Sequence, residues 1–171
     1  MIKNLEAIDT HYDGHHFRSR LEAKWAVFFN AIGWKWGYET EGYKLPSGKC
    51  YLPDFHLTEL DIYIEVKPKE LTKDELDLCL ELSNFIVTPK YGIDIILCEG
   101  DPSSRPFRTI VNGNVFVPVI LMHRDSGFYP FYQSDEKNTR IHDLNLTKQA
   151  AIKATSARFE REWKEKGDEN G

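Results

Sequence analysis

The most constraining feature of this chain is the stretch Tyr51-Leu-Pro-Asp-Phe-His-Leu57, followed after a polar break by Asp61-Ile-Tyr-Ile-Glu-Val-Lys67. Both halves are short runs rich in β-branched and aromatic residues, the composition of strands. Side chains on a strand alternate between faces, so Ile62, Ile64 and Val66 point into a core while Tyr63, Glu65 and Lys67 share the other face. Beside them lies a second strand with an acid, Asp54, at its end. Two acids and a lysine on one sheet face suit a site that gathers oxygen donors around a metal.

The flanking segments predict the rest of the architecture. Residues 8–18 read as a small hairpin turning at Asp13-Gly14, a dipeptide favoured in type I′ turns. Ser19 is the expected N-cap of a helix, with Glu22 at the capping-box position and Leu21, Trp25, Phe28 and Ile32 as an apolar stripe ending at Gly33. Residues 36–45 and 51–57 are expected as strands joined by Pro46-Ser47-Gly48, and residues 62–67 as a third strand closed by Pro68. Thr72-Lys-Asp-Glu75 is a second capping box, opening a helix to about Phe85, and residues 93–98 form a buried strand. A helical crossover into that strand predicts one parallel pair in an otherwise antiparallel sheet.

After a loop at 102–106, residues 107–133 read as further strands with turns at Asn112-Gly113 and Ser126-Gly127. Asn145 is the expected cap of a final helix running to about Trp163. The expected fold class is therefore α/β: an αβββαβ core at about 10–98, a mixed sheet flanked by helices, with a C-terminal β extension and helix at about 105–165. At 171 residues the chain reads as one domain, 1–171.

Composition narrows the partners. Hydrophobic residues make up 41 % and charged residues 29 %, a globular balance. No apolar run approaches the ~20 residues of a membrane span, so no membrane partner is expected and the reading is a soluble, cytoplasmic protein. Cys50, Cys79 and Cys98 are widely spaced and form no Cys-x-x-Cys pair, which argues against zinc or an iron–sulfur cluster; Cys79 and Cys98 read as buried thiols. The net charge is −5, yet residues 51–100 hold 4 Lys/Arg against 11 Asp/Glu, and the remainder 18 against 16. The acidic excess lies in the segment with the candidate metal ligands, where a bound divalent ion offsets it. Strong nonspecific duplex binding is not expected.

The candidate residues have bland readings too. Glu22 either joins a metal site or is simply the capping acid of Ser19 or an i,i+4 partner of Arg18. His56 shares a strand face with Asp54, although a packing or surface role is the default for such a histidine. His11, His15 and His16 flank the first turn but have no acid or cysteine at zinc-ligand spacing. Tyr63 and Lys69 are weaker candidates. Lys148, Lys153, Arg158, Arg161, Lys164 and Lys166 are interleaved with Glu160, Glu162 and Glu165, the mark of a solvated helix face.

With Pro53-Asp54, then Glu65-Val66-Lys67, and a helical Glu22 upstream, the chain resembles the PD-(D/E)xK nuclease superfamily. The run Phe17-Arg-Ser-Arg-Leu-Glu-Ala-Lys-Trp-Ala-Val-Phe-Phe29 with Tyr51-Leu-Pro-Asp-Phe55 is similar to small endonucleases encoded by bacteriophages and mobile elements. The resemblance covers residues 10–98 and implies a restriction-endonuclease-like core. It further implies a bacterial or phage-infected host cell, and Mg²⁺-dependent hydrolysis of DNA leaving 5′-phosphate and 3′-hydroxyl ends.

The chemistry accounts for the residue types. Mg²⁺ is a hard ion that takes oxygen ligands, and one or two such ions activate a nucleophile and relieve charge on the phosphorus centre and the leaving oxygen. Asp54 and Glu65 are expected as metal ligands, with Glu22 as an accessory. The resemblance adds the backbone carbonyl of Val66. Lys67 orients or activates the nucleophilic water, or stabilises developing charge. Mn²⁺ is the expected substitute for Mg²⁺, and RNA fits these residues as a substrate as well as DNA does. The competing reading is a nuclease-fold binding or structure-specific subunit of a recombination, transposition or phage anti-host complex. Homodimer and subunit of a larger nucleoprotein complex are both open as assemblies.

Overall fold

The computed structural model describes residues 8–86, 94–103, 108–116, 119–124, 127–132 and 144–159. Asp13 and Gly14 both take left-handed backbone (φ 51 and 76), so the chain reverses in two residues and pairs β1 (Thr10–Tyr12) with β2 (His15–Phe17). Ser19 then caps α1 (Arg20–Ala31), its Oγ accepting the Glu22 N–H. Gly33 stops the helix in the left-handed region (φ 79). The expected stripe is too narrow. Ala23, Trp25, Ala26, Val27, Phe28 and Phe29 are all buried, because α1 lies between the sheet and a third helix.

The two long strands expected at 36–45 and 51–57 are each broken. The inner pieces, β3 (Trp36–Tyr38) and β6 (Phe55–Leu57), pair with each other; the outer pieces, β4 (Tyr43–Lys44) and β5 (Cys50–Tyr51), make a separate small ribbon. Glu39 interrupts the first strand with φ 47, and Pro53, with no N–H to donate, interrupts the second. The third strand, β7 (Ile62–Lys67), has the expected bounds.

Thr72 caps α2 (Lys73–Phe85) with a complete capping box to Glu75, as its sequence requires. The chain returns as β8 (Ile95–Glu99), parallel to β7; Ile93 lies outside the described residues. Asn112 and Gly113, with φ 47 and 70, then turn β9 (Arg108–Val111) into β10 (Asn114–Phe116). This hairpin adds to the main sheet, which is mixed and six-stranded in the order β10-β9-β8-β7-β6-β3. A further antiparallel ribbon joins β11 (Val119–Arg124) and β12 (Gly127–Tyr132). Gly127 opens that second strand opposite Arg124 rather than sitting in the turn, and residues 125–126 lie outside the described residues.

The last helix, α3 (Leu144–Ser156), differs from expectation at both ends. Asn145 falls inside its first turn instead of capping it, and the helix stops at Ser156, short of Trp163. Residues 160–171 lie outside the described set, and with them Arg161, Lys164 and Lys166. Thr147, Ala150, Ala151 and Ala154 form the buried face of α3 against α1. Asp101 bridges the two helices, accepting from Lys24 Nζ at 2.8 Å and Thr155 Oγ1 at 2.6 Å.

Helices thus cover both faces of the sheet. Ile62, Ile64, Val66 and Ile96 join the α1 and α3 core; Tyr63, Ile95 and Leu97 join a second core with Cys79 and Leu82 of α2. Burial of each large apolar side chain contributes about 1.5–3 kcal/mol. Among the described residues no helix is long and apolar enough to cross a membrane.

Candidate functional site

Antiparallel register brings the two strand acids together. Phe55 lies opposite Ile64 and His56 opposite Tyr63, so one further step places Asp54 across from Glu65. Asp54 is 4 % exposed and Glu65 5 %. Oδ2 of Asp54 accepts the Val66 N–H at 2.7 Å, and Oδ1 accepts from Arg18 Nη2 at 3.2 Å. The Asp54 carbonyl accepts the Glu39 N–H at 2.9 Å, tying the broken ends of the two expected strands to each other.

Glu65 has partners on both oxygens. Lys67 Nζ lies 2.9 Å from Oε1, and the Tyr51 hydroxyl donates to Oε2 at 2.7 Å. Strand alternation does put Glu65 and Lys67 on one face. That face is no open surface, because α2 covers it and only Lys67 emerges, about a third exposed. Lys67 also lies 3.5 Å from Glu75, which joins the capping box of α2 to the site.

Glu22 reaches the same region from α1 and is 8 % exposed. Its carboxylate accepts from Ser19 Oγ at 2.7 Å and from the Tyr38 hydroxyl at 2.5 Å. Only half of the expected capping box is therefore present: Ser19 caps the Glu22 N–H, while the Glu22 carboxylate turns inward to Tyr38. The expected Arg18–Glu22 pair is replaced by contacts of Arg18 with Asp54 and Glu39.

The electrostatics follow from this crowding. Burial, then the neighbouring charges of Glu65 and Glu22, push the Asp54 carboxyl up to about 8, against the opposing pull of the Val66 N–H and Lys67. Burial alone lowers the Lys67 ammonium, but Glu65, Asp54 and Glu75 outweigh it and hold its pKa above the ordinary lysine value. Cys79, whose Sγ lies 3.2 Å from the Tyr51 hydroxyl, is pushed up to about 12 by burial and by Glu65.

The remaining sequence candidates stand apart from this group. His56 Nε2 donates to Asp61 Oδ1 at 3.0 Å and the ring stacks on Tyr63 at 4.6 Å, two register steps from the acids. Tyr63 is buried and its hydroxyl bonds Tyr43. His11 stacks on His16 at 4.6 Å, while His15 packs on Trp36 at 4.8 Å. Lys69, Lys148, Lys153 and Arg158 are exposed. Arg18, Tyr38, Glu39 and Tyr51 are the site residues that sequence reasoning missed. No local pattern pointed to them: alternation puts Tyr51 out of phase with Asp54, and the others reach the acids from separate elements.

All-oxygen donors are the type a hard divalent ion takes: Asp54 and Glu65 each contact one side-chain cation, Glu22 is buried with Ser19 and Tyr38, and burial together with mutual repulsion opposes ionisation of Asp54. Even so, among the described residues no three His, Cys, Asp or Glu side chains form a ready metal-binding group. The acids' oxygens are instead engaged by Arg18, Lys67, Tyr51, Tyr38 and Ser19. The chain matches no family model, no curated protein and no solved structure.

Proposed function

We propose that this chain is a divalent-metal-dependent nuclease of the PD-(D/E)xK type, with a restriction-endonuclease-like core, that hydrolyses phosphodiester bonds in DNA. The observation that carries this reading is the burial of Asp54 directly across from Glu65, with Lys67 Nζ 2.9 Å from the Glu65 carboxylate. Acids buried side by side repel one another even when hydrogen-bonded, so a fold that keeps them together needs a reason for doing so. A cation-binding role provides one.

Asp54 and Glu65 would hold Mg²⁺, or Mn²⁺ in its place, with the Val66 carbonyl and Glu22 as further oxygen donors. When bound, the ion supplies Lewis-acid stabilisation of the reacting phosphate and a more acidic water. The protein's own contribution is positional. The Val66 N–H fixes the orientation of Asp54, and Tyr51 fixes Glu65. Lys67, tethered between Glu65 and Glu75, holds its ammonium at the rim of the site, where it donates a hydrogen bond to the nucleophilic water or to a phosphate oxygen.

A second reading has its own support. The internal partners of Glu22, Asp54 and Glu65 leave no ready metal-binding group among the described residues, and the net charge is −5. A nuclease-fold binding or structure-specific subunit, in which the acids serve only as a buried polar network, is consistent with both facts. Cleavage assays separate the two. Linear, circular, branched and single-stranded DNA, and RNA, are incubated with Mg²⁺, Mn²⁺ or EDTA, using wild type, Asp54→Ala and Lys67→Ala. Metal-dependent cleavage lost in both variants supports the nuclease. Its absence on every substrate would sink the enzyme and leave the binding subunit.

A further inference from the structure

Arg18 occupies the junction between β2 and α1, where its backbone N–H donates to the Tyr38 hydroxyl at 3.1 Å. Its guanidinium extends over the acid group. One nitrogen, Nη2, contacts both Asp54 Oδ1 and Glu39 Oε1. The Glu39 contact is an ion pair without hydrogen-bond geometry, so that buried oxygen has no hydrogen-bond donor among the described residues. Arg18 is 59 % exposed while Asp54 beneath it is 6 % exposed, both measured on the side chains. The arginine therefore forms the solvent side of the pocket in which Asp54 is buried.

Three features make this an unusual arginine. A guanidinium has five donors in a planar fork; the two acids take only Nη2, and the Tyr38 hydroxyl is its further side-chain partner. Glu39, which flanks it, is held in left-handed backbone by a hydrogen bond from its N–H to the Asp54 carbonyl, so the site itself fixes the acid that steers Arg18. Finally, Arg18 meets Asp54 on the oxygen that does not receive the Val66 N–H, the less committed of the two to the backbone.

We propose that Arg18 is the phosphate-binding residue of the site, held in reserve against Asp54 Oδ1 until a divalent ion takes its place. The proposal rests on the nuclease reading. Metal and guanidinium compete for one carboxylate oxygen; the ion's higher charge wins, and the released fork, still steered by Glu39, engages a nucleic-acid phosphate through paired N–H donors. Lysine has the charge without the fork and replaces arginine only in part.

The test measures two equilibria without relying on turnover. Mn²⁺ binding is followed by calorimetry on wild type, Arg18→Gln, Arg18→Lys and Asp54→Asn, with thermal melts to verify folding. Affinity for a short fluorescein-labelled oligonucleotide, duplex and single-stranded, is followed by anisotropy in Ca²⁺ across a salt series, with gels to check that the probe stays intact. In Arg18→Gln, Mn²⁺ affinity should rise several-fold because its competitor is gone. Oligonucleotide affinity should fall about tenfold, with the salt slope shallower by about one, and Arg18→Lys should recover the slope but not the full affinity. Unchanged oligonucleotide affinity and slope in a folded Arg18→Gln protein would overturn the proposal. If Asp54→Asn abolishes Mn²⁺ binding while Arg18→Gln leaves both equilibria untouched, the nuclease reading stands and the Arg18 role falls. If wild type binds neither Mn²⁺ nor oligonucleotide, both fall together.

Discussion

The Val66 N–H donates to Asp54 Oδ2 at 2.7 Å across the β6–β7 pair, so a backbone group of the strand bearing Glu65 and Lys67 holds the acid at the end of its neighbour. This bond needs an acceptor and not a charge. Its geometry therefore separates what stabilises the fold from what the site requires.

Asp54→Asn keeps an oxygen for the Val66 N–H while removing a carboxyl whose ionisation is opposed by burial and by the charges of Glu65 and Glu22. In EDTA the variant should unfold at a higher temperature or denaturant concentration than wild type, although it loses metal binding. Asp54→Ala, which leaves that N–H unpaired, should be the less stable of the two by about 1–3 kcal/mol. Equal destabilisation by both variants in urea melts would show that the charge itself supports the fold.

The same carboxyl sets a pH dependence. Its folded pKa of about 8 lies above the value of 3.8 in an unfolded chain, so the native state retains a proton that the unfolded state releases. The associated stability is complete below pH 3.8 and is lost as pH rises through about 8, with a slope of at most about 1.4 kcal/mol per pH unit. Urea melts in EDTA between about pH 5 and 8 should show this decline, Asp54→Asn should flatten it, and Mg²⁺ should stabilise more as pH rises.

Asp101 behaves in the opposite sense. Burial raises its pKa, but Lys24, Thr155 and Ser103 outweigh burial and hold it at about 2. Its contribution is present above pH 3.8 and disappears as pH falls through about 2. Asp101→Asn should cost about 1 kcal/mol at neutral pH by loosening the α1–α3 contact, allowing for its partial exposure. Acid titration of the melts checks that the difference from wild type vanishes near pH 2.

Tyr51→Phe removes the hydroxyl that donates to Glu65 and leaves that oxygen in a buried pocket. A hydrogen bond to a charged group is worth about 1.5–3 kcal/mol, so denaturant unfolding should show a loss of that size. Under the nuclease reading, cleavage should also fall, because Glu65 loses its orientation; full activity at reduced stability would assign Tyr51 a purely structural part.

Glu22 has two duties that mutation can part. Ser19 caps the Glu22 backbone N–H, a bond that survives any change of the Glu22 side chain, whereas Ser19→Ala should cost about 1 kcal/mol. Glu22→Gln should then leave α1 intact by circular dichroism and lower turnover if the carboxylate serves the metal. Unchanged turnover in that variant would remove Glu22 from the site.

Much of the fold was legible because its signals are local. Asp13-Gly14 and Asn112-Gly113 make their turns from two residues with positive φ, and Thr72 with Glu75 closes a capping box within one helical turn. Ile62–Lys67 has the bounds that its apolar alternation predicts. The misreadings arise where tertiary contacts override local pattern. Trp36–Leu45 looks continuous, yet Glu39 turns aside to bond Asp54, and Glu22 looks like a capping acid, yet its carboxylate turns to Tyr38.

The sequence by itself determined the capped starts of the first two helices, which residues alternate on Ile62–Lys67, and that Glu65 and Lys67 share a strand face, with Asp54 just before the preceding strand. Only the tertiary structure decided that the face bearing Glu65 is buried beneath α2, that Asp54 stands opposite Glu65, and that Arg18 closes the pocket above it. Caps, turns and alternation act over a few residues and leave a trace in the order of amino acids. Register and helix placement are settled by the summed packing of distant residues, and no single stretch of chain records that sum.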